Sequence, residues 1–154
     1  MAHWLLKTEP DVFSFDDLMR APNRTSGWDG VRNYQARNFL RDGMKKGDGV
    51  LIYHSSADPP AVVGVAEVAR EGYPDPTQFD PQNDHYDPES VPGAPRWFQV
   101  DVKAVHKLAH PITLQEIRET KALSNMPLVQ RGQRLSVQPV GEKEFALIVR
   151  MGEK

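Results

Sequence analysis

The sequence predicts an α+β fold: a small, strongly bent sheet or open barrel with short helices around it. Three observations carry this. The apolar runs are mostly short and β-rich, at residues 3–7, 50–54, 62–68 and 97–105. Helical periodicity is confined to brief stretches between them. No regular crossover helix joins one strand to the next, which argues against a wound parallel sheet.

Each element has a local reason. The strand over 3–7 ends at Glu9-Pro10. Ser14 with Asp17 three residues on is a capping box that opens a short helix. A loop, Gly27-Trp28-Asp29-Gly30, leads into a helix over 34–41 that buries Ala36, Phe39 and Leu40 and stops at Asp42-Gly43. The turn Lys46-Gly47-Asp48-Gly49 feeds a strand, 50–54, apolar enough to be covered on both faces. Gly64, inside the strand 62–68, permits a bulge or a close backbone approach.

Residues 71–96 form a long irregular segment with six prolines. Its Tyr73, Phe79 and Tyr86 argue for packing over disorder. The segment is expected to fold over the molecule and give Tyr86 or Phe79 to the rim of a pocket. In the strand 97–105, Phe98, Val100, Val102 and Ala104 alternate with polar residues, and Trp97 falls on the polar parity. Thr113 and Glu116 form a second capping box, opening a helix through Arg118. A final strand, 134–138, is stopped by Pro139-Val140. An amphipathic helix over 142–150 buries Phe145, Leu147 and Ile148. With no internal repeat and no linker, residues 1–154 read as one domain.

The chain has 154 residues, 39% hydrophobic and 26% charged, with no cysteine and a net charge of −2. This is the composition of an ordinary globular protein with a sizeable core. No apolar run approaches the ~20 residues that span a bilayer, and the N-terminus lacks the pattern of a signal peptide. A cytoplasmic protein (nuclear in a eukaryote), monomeric and off the membrane, is expected. The net charge argues against coating nucleic acid by charge alone. Yet residues 20–46 hold seven bases and two acids, whereas 71–91 hold six acids and no Lys or Arg. The basic stretch either touches phosphates or is a solvated helix face.

Trp28 is the most informative side chain. Flanked by Gly27 and Gly30, it has few neighbours in its own loop, so local packing alone should not fix the ring. Either it folds back as a core plug, or it stacks on a flat ligand. A nucleobase offers a face to stack on and an edge to hydrogen-bond. Stacking is worth ~1–3 kcal/mol and discriminates little among bases. Edge groups must supply the choice, and Asn33, Gln35, Ser55 and Gln138 carry both donors and acceptors. Asn33 is equally a helix N-cap, and Gln138 a polar residue of a strand.

Catalytic and metal readings are weaker. His54 and Ser55 are adjacent on a strand and point to opposite faces. No Gly-x-Ser-x-Gly elbow and no phosphate-cradling glycine loop is present. Asp84-His85-Tyr86-Asp87 lacks a second spaced ligand set for a metal. No metal and no cofactor is expected.

Four segments together resemble the EVE domain, a relative of PUA-like domains that is also similar to YTH and ASCH domains. They are His3-Trp4-Leu5-Leu6-Lys7-Thr8-Glu9-Pro10, the run from Gly27 to Ala36, the run from Gly47 to Ser55 continued by residues 63–68, and residues 131–140. The resemblance covers nearly the whole chain in order. It implies a PUA-like curved sheet or open β-barrel, with a pocket at one end that holds a flipped, modified base. EVE domains are implicated with modified cytosine in DNA, and YTH domains read methylated adenine in RNA. Trp28 matches the first cage tryptophan of the YTH pattern, Lys7 and Thr8 the polar end of the first strand, and Ser55 the serine before Gly64. The loop that gives YTH domains their other cage residues carries only Tyr73, Phe79 and Tyr86 here, with Trp97 at its far end.

The expected base pocket is therefore Lys7, Thr8, Trp28, Val31, Asn33, Tyr53, His54, Ser55, Tyr86, Trp97 and Ser136. Arg32, Arg37 and Arg131 are the expected phosphate contacts. The expected function is non-catalytic binding of DNA or RNA carrying a modified base such as methylated cytosine. The alternatives are a small ASCH-type enzyme acting on RNA or a nucleobase, and a small-molecule-binding interaction domain. A carboxylate or histidine left unpaired in the pocket would favour the enzyme.

Overall fold

The computed structural model describes residues 1–153. Its strands are β1 (His3–Thr8), β2 (Thr25–Gly27), β3 (Gly49–His54), β4 (Ala61–Pro74), β5 (Phe98–Thr113) and β6 (Val137–Val140). They form one open sheet in the order β2-β5-β4-β3-β1-β6. β1 and β3 are parallel, and every other neighbouring pair is antiparallel.

The sheet has an apolar core on each face. Trp4, Leu6, Val50 and Ile52 join Phe15, Leu18 and Trp28 on one side. Leu5, Leu51 and Tyr53 join Ile112, Ile117 and Ile148 on the other. Alternate residues of β1 and β3 thus face two cores, which is why both strands read as continuous apolar runs.

β4 and β5 are much longer than their alternation suggested, at 14 and 16 residues. Register shifts between Val62 and Gly64, Val65 and Ala66, Val68 and Arg70, and Arg70 and Tyr73 interrupt their pairing. Each shift bends the strands and resets the phase of the pattern, so alternation in β5 is legible only to about Ala104. At Gly64 a Cβ would lie 2.5 Å from the Phe15 ring. The bare backbone there lets the helix α1 (Phe15–Arg20) close on the sheet.

Two expected ends moved. The last strand starts at Val137 and runs through Pro139 and Val140, the residues expected to stop it. β6 is an edge strand, where proline is tolerated. The expected helix 34–41 is an α-helix, α2 (Tyr34–Asn38), continued by a π-helical turn, Phe39–Gly43. Both capping boxes form, at Ser14/Asp17 and at Thr113/Glu116, the second opening α3 (Leu114–Glu119). The last helix, α4, spans Glu142–Gly152.

The proline-rich segment, six of whose residues lack a backbone N–H, is held by tight backbone turns and by buried polar side chains. Gln78, fully buried, donates from Nε2 to the carbonyls of Asp75 and Trp97. Its Oε1 accepts from the Ser90 hydroxyl and from the Trp97 and Arg96 amides.

Candidate nucleic-acid interface

A cavity of about 640 Å³ opens where the end of β1, the strand β2, the Trp28 loop and residues 84–85 converge. Trp28 forms one wall. Its amide donates to the Val100 carbonyl at 2.8 Å, which fixes the loop against β5. Its ring is only 7% exposed and belongs to the core. The Phe13 ring meets it edge-on, 6.0 Å between centroids. The flanking glycines therefore do not leave this ring free. It is both core and cavity wall, so the packing around it fixes the ring that its own loop was expected to leave unfixed.

The loop turns at Gly30, whose φ of +80° suits glycine. The Gly30 amide donates to Asp75 Oδ2 at 2.8 Å, and a Cβ here would lie 2.6 Å from the His85 ring. Arg32 continues the clamp. It donates to Asp75 Oδ2 at 3.1 Å, to Thr77 Oγ1 at 3.0 Å and twice to the His85 carbonyl. The proline-rich segment is thereby fastened beside the cavity, and it contributes Asp84 and His85 to the wall.

The charges are shaped by this packing. Burial would raise the Asp75 carboxyl, but hydrogen bonds from Thr77, Gly30 and Arg32 outweigh it and hold the group below the usual carboxylate range. Asp29, at the cavity mouth, goes the other way. Partial withdrawal from water and the neighbouring Asp75 carboxylate raise it, against the pull of His85 and Arg32. Burial lowers the Lys7 ammonium.

Of the expected pocket residues, Lys7, Thr8, Trp28, Val31 and Ser136 line the cavity, and so does Arg32. Thr8 is oriented by donating from Oγ1 to the Phe13 carbonyl at 2.6 Å. Asn33 is outside the lining; its side chain caps α2 by accepting from the Ala36 amide at 3.0 Å. Ser55 adjoins the end of β1, donating its amide to the Thr8 carbonyl, but does not line the cavity. His54 Nε2 accepts from the Phe15 amide, so the ring holds α1.

Trp97 is buried and stacked on Tyr34, 4.9 Å between centroids, with its Nε1 donating to Asp87. Tyr86 is exposed outside the cavity wall, so the segment presents His85 there instead of Tyr86 or Phe79. Arg37 donates to the Arg96 carbonyl at 2.7 Å and lies over the Tyr34 ring. Tyr53 and Arg131 line a second cavity of about 450 Å³ on the far side of Lys7.

Sequence reasoning missed the lining side chains of Glu9, Val12, Phe13, Ser26, Asp29, Asp84 and His85. Asp29 lay inside the Trp28 motif, and its place beside the ring was the available signal. Phe13, from before the Trp28 loop, is the aromatic that meets the Trp28 ring in this wall.

A family model described as "EVE domain" matches residues 2–151. The chain is 43% identical to human thymocyte nuclear protein 1, over 99% of this chain and 75% of that protein. A crystal structure of the human protein (THYN1), described as in complex with 5-methylcytosine-containing DNA, superposes with a TM-score of 0.93, covering 100% of this chain and 99% of that one. A protein of Pseudomonas syringae, 40% identical, superposes at 0.92 over 98% of this chain and 99% of that one. An ASCH protein of Zymomonas mobilis shares the fold at 11% identity, with a TM-score of 0.58 over 97% of each chain. The matching family model and the identity to thymocyte nuclear protein 1 together show that this chain belongs to the EVE domain family.

Proposed function

We propose that this chain binds DNA carrying 5-methylcytosine, and that the modified base leaves the stack to enter the Trp28 cavity. The cavity itself carries this reading. Its volume of about 640 Å³ suits a small planar ligand. One wall is an aromatic face and edge, Trp28 and Phe13, Val12 and Val31 add apolar surface, and polar side chains complete the lining. The relative THYN1, 43% identical, supplies the DNA and the modification.

The roles follow from chemistry. The Trp28 ring stacks on the base. Asp29 accepts from the exocyclic amine of cytosine, as carboxylates do; thymine would set its O4 acceptor against the same group and be repelled. Val31 and Val12, also in the wall, offer apolar surface to a C5 methyl. The test is a binding panel of single- and double-stranded DNA and RNA with different modified bases at one position. Tightest binding to 5-methylcytosine DNA supports the reading; equal affinity across the panel overturns it.

An enzyme on the same frame is the second reading, favoured by Asp29 and His85 in the wall. Against it, the hydroxyls of Thr8 and Ser26 donate to backbone carbonyls, and neither is paired with a general base. Release of a base or strand scission on incubation with methylated oligonucleotide would favour the enzyme.

A further inference from the structure

The second cavity carries chemistry that the base pocket does not use. Its wall includes Lys7, Arg118, Arg131 and Arg134 and no carboxylate, in a chain whose net charge is −2. None of these four cations makes an ion pair or a side-chain hydrogen bond among the described residues. Elsewhere some bases are ion-paired, Arg32 with Asp75, Arg41 with Asp42, Arg96 with Glu89 and Lys107 with Asp16, while others, such as Lys45, Lys46 and Lys103, are single surface cations; what sets the cleft apart is that four unpaired cations share one concave wall.

A second observation adds a neutral donor to the cations. Tyr53 lines the same cavity and is only 4% exposed, yet its hydroxyl has no hydrogen-bond partner among the described residues. Among the described residues no fully buried side-chain polar atom lacks a partner, so the Tyr53 hydroxyl is the part of this residue that reaches the open space of the cleft. Every charged neighbour there is a cation. The set offers donors and positive charge, which is what an oxyanion takes.

The position of the cleft names the source of the anion. Lys7 lines both cavities. Across the same boundary, Arg134 faces the cleft and Ser136 the base cavity, while the Lys7 amide donates to the Ser136 carbonyl at 2.9 Å. Burial has already pulled Lys7 below the ordinary lysine range, so an arriving anion restores what desolvation removed.

We propose that the cleft of Lys7, Tyr53, Arg118, Arg131 and Arg134 holds the phosphodiester backbone beside the base captured in the Trp28 cavity. The assignment of the backbone as occupant rests on the base-binding reading above. Phosphate contacts position the strand, and the cavity chooses the base. A free phosphorylated metabolite presents the same chemistry, and the test separates the two sources.

The experiment compares the parent, the triple variant R118A/R131A/R134A and Tyr53→Phe, each checked for folding by circular dichroism. The probes are a 5-methylcytosine oligonucleotide titrated over a range of salt, the nucleoside 5-methyl-2′-deoxycytidine, and inorganic pyrophosphate. The triple variant is expected to bind the oligonucleotide at least tenfold more weakly at low salt. Its log K against log salt slope should be shallower by roughly two to three, about 0.7–0.9 per lost phosphate contact. Nucleoside binding should not change, because its cavity is intact. Tyr53→Phe should weaken the oligonucleotide severalfold with the slope kept.

Parent affinity and slope in the triple variant would overturn the proposal. So would loss of pyrophosphate binding with oligonucleotide binding unaltered, which would make the cleft a metabolite site. An oligonucleotide affinity that ignores methylation but still falls in the triple variant would sink the base-reading proposal and leave the cleft standing.

Discussion

Arg32 and Asp75 meet as an ion pair, Nη1 to Oδ2 at 3.1 Å, with the Asp75 side chain fully buried. The pair fastens the proline-rich segment to the Trp28 loop. Removing the guanidinium in Arg32→Ala strands a buried carboxylate and should cost about 3 kcal/mol of stability. Arg32→Lys should recover only part, because an ammonium cannot reproduce the planar contacts to Asp75, Thr77 and the His85 carbonyl. Urea unfolding checks both; a loss under about 0.5 kcal/mol in the alanine variant would show that Arg32 does not hold the segment.

The same pair sets an acid dependence. Asp75 titrates below the usual carboxylate range in the folded protein. Its contribution is therefore fully present above the unfolded value, about 3.9, and is lost as pH falls through the lower folded value. The melting-temperature gap between the parent and Asp75→Asn should be constant from neutral pH to about pH 5 and close only under stronger acid. A gap that already closes near pH 6 would contradict the assigned direction.

Asp29 should behave in the opposite sense. Its raised carboxyl is an ionised group that the fold disfavours. Asp29→Asn should raise the melting temperature of the free protein at neutral pH, with the gain vanishing as pH falls through the raised value. In binding, the same variant should narrow the preference for cytosine-type bases over thymine, because the carboxylate acceptor is gone. Unchanged discrimination, measured by competition between matched oligonucleotides, would remove Asp29 from base reading.

Trp28 lies both in the core and in the proposed base site, so truncation confounds the two. Trp28→Ala should destabilise by about 3–5 kcal/mol, as for other buried large aromatics. Trp28→Phe keeps an aromatic face and should retain much of the fold while weakening DNA affinity by up to ~1–3 kcal/mol for every base tested. A Phe variant that melts like the parent and binds DNA unchanged would confine Trp28 to the core.

Local signals in the sequence carried far. The capping boxes at Ser14 and Thr113, the two-faced strand 50–54 and the close approach at Gly64 follow from neighbouring residues alone, and each is present. The long strands β4 and β5 were legible only in part, because bulges reset their alternation. At the site, Lys7, Thr8, Trp28, Val31 and Ser136 could be grouped because strand ends and the Trp28 loop are where polar residues interrupt otherwise apolar segments. His85 could not. It reaches the cavity through the Arg32 clamp, a pairing across 53 residues that no periodicity encodes. Asn33 and His54 have side-chain chemistry suited to a base edge but meet backbone amides instead, at Ala36 and Phe15.

Entry of a modified base into the Trp28 cavity would set its C5 methyl against the cavity wall. Intermolecular nuclear Overhauser effects from the C5 methyl of a single 5-methylcytosine in bound DNA test it most directly. Effects to the Trp28 indole and to Val31 or Phe13 are the expected result. A bound complex in which that methyl shows effects only to its own DNA neighbours, and none to any residue of the cavity wall, would contradict the account.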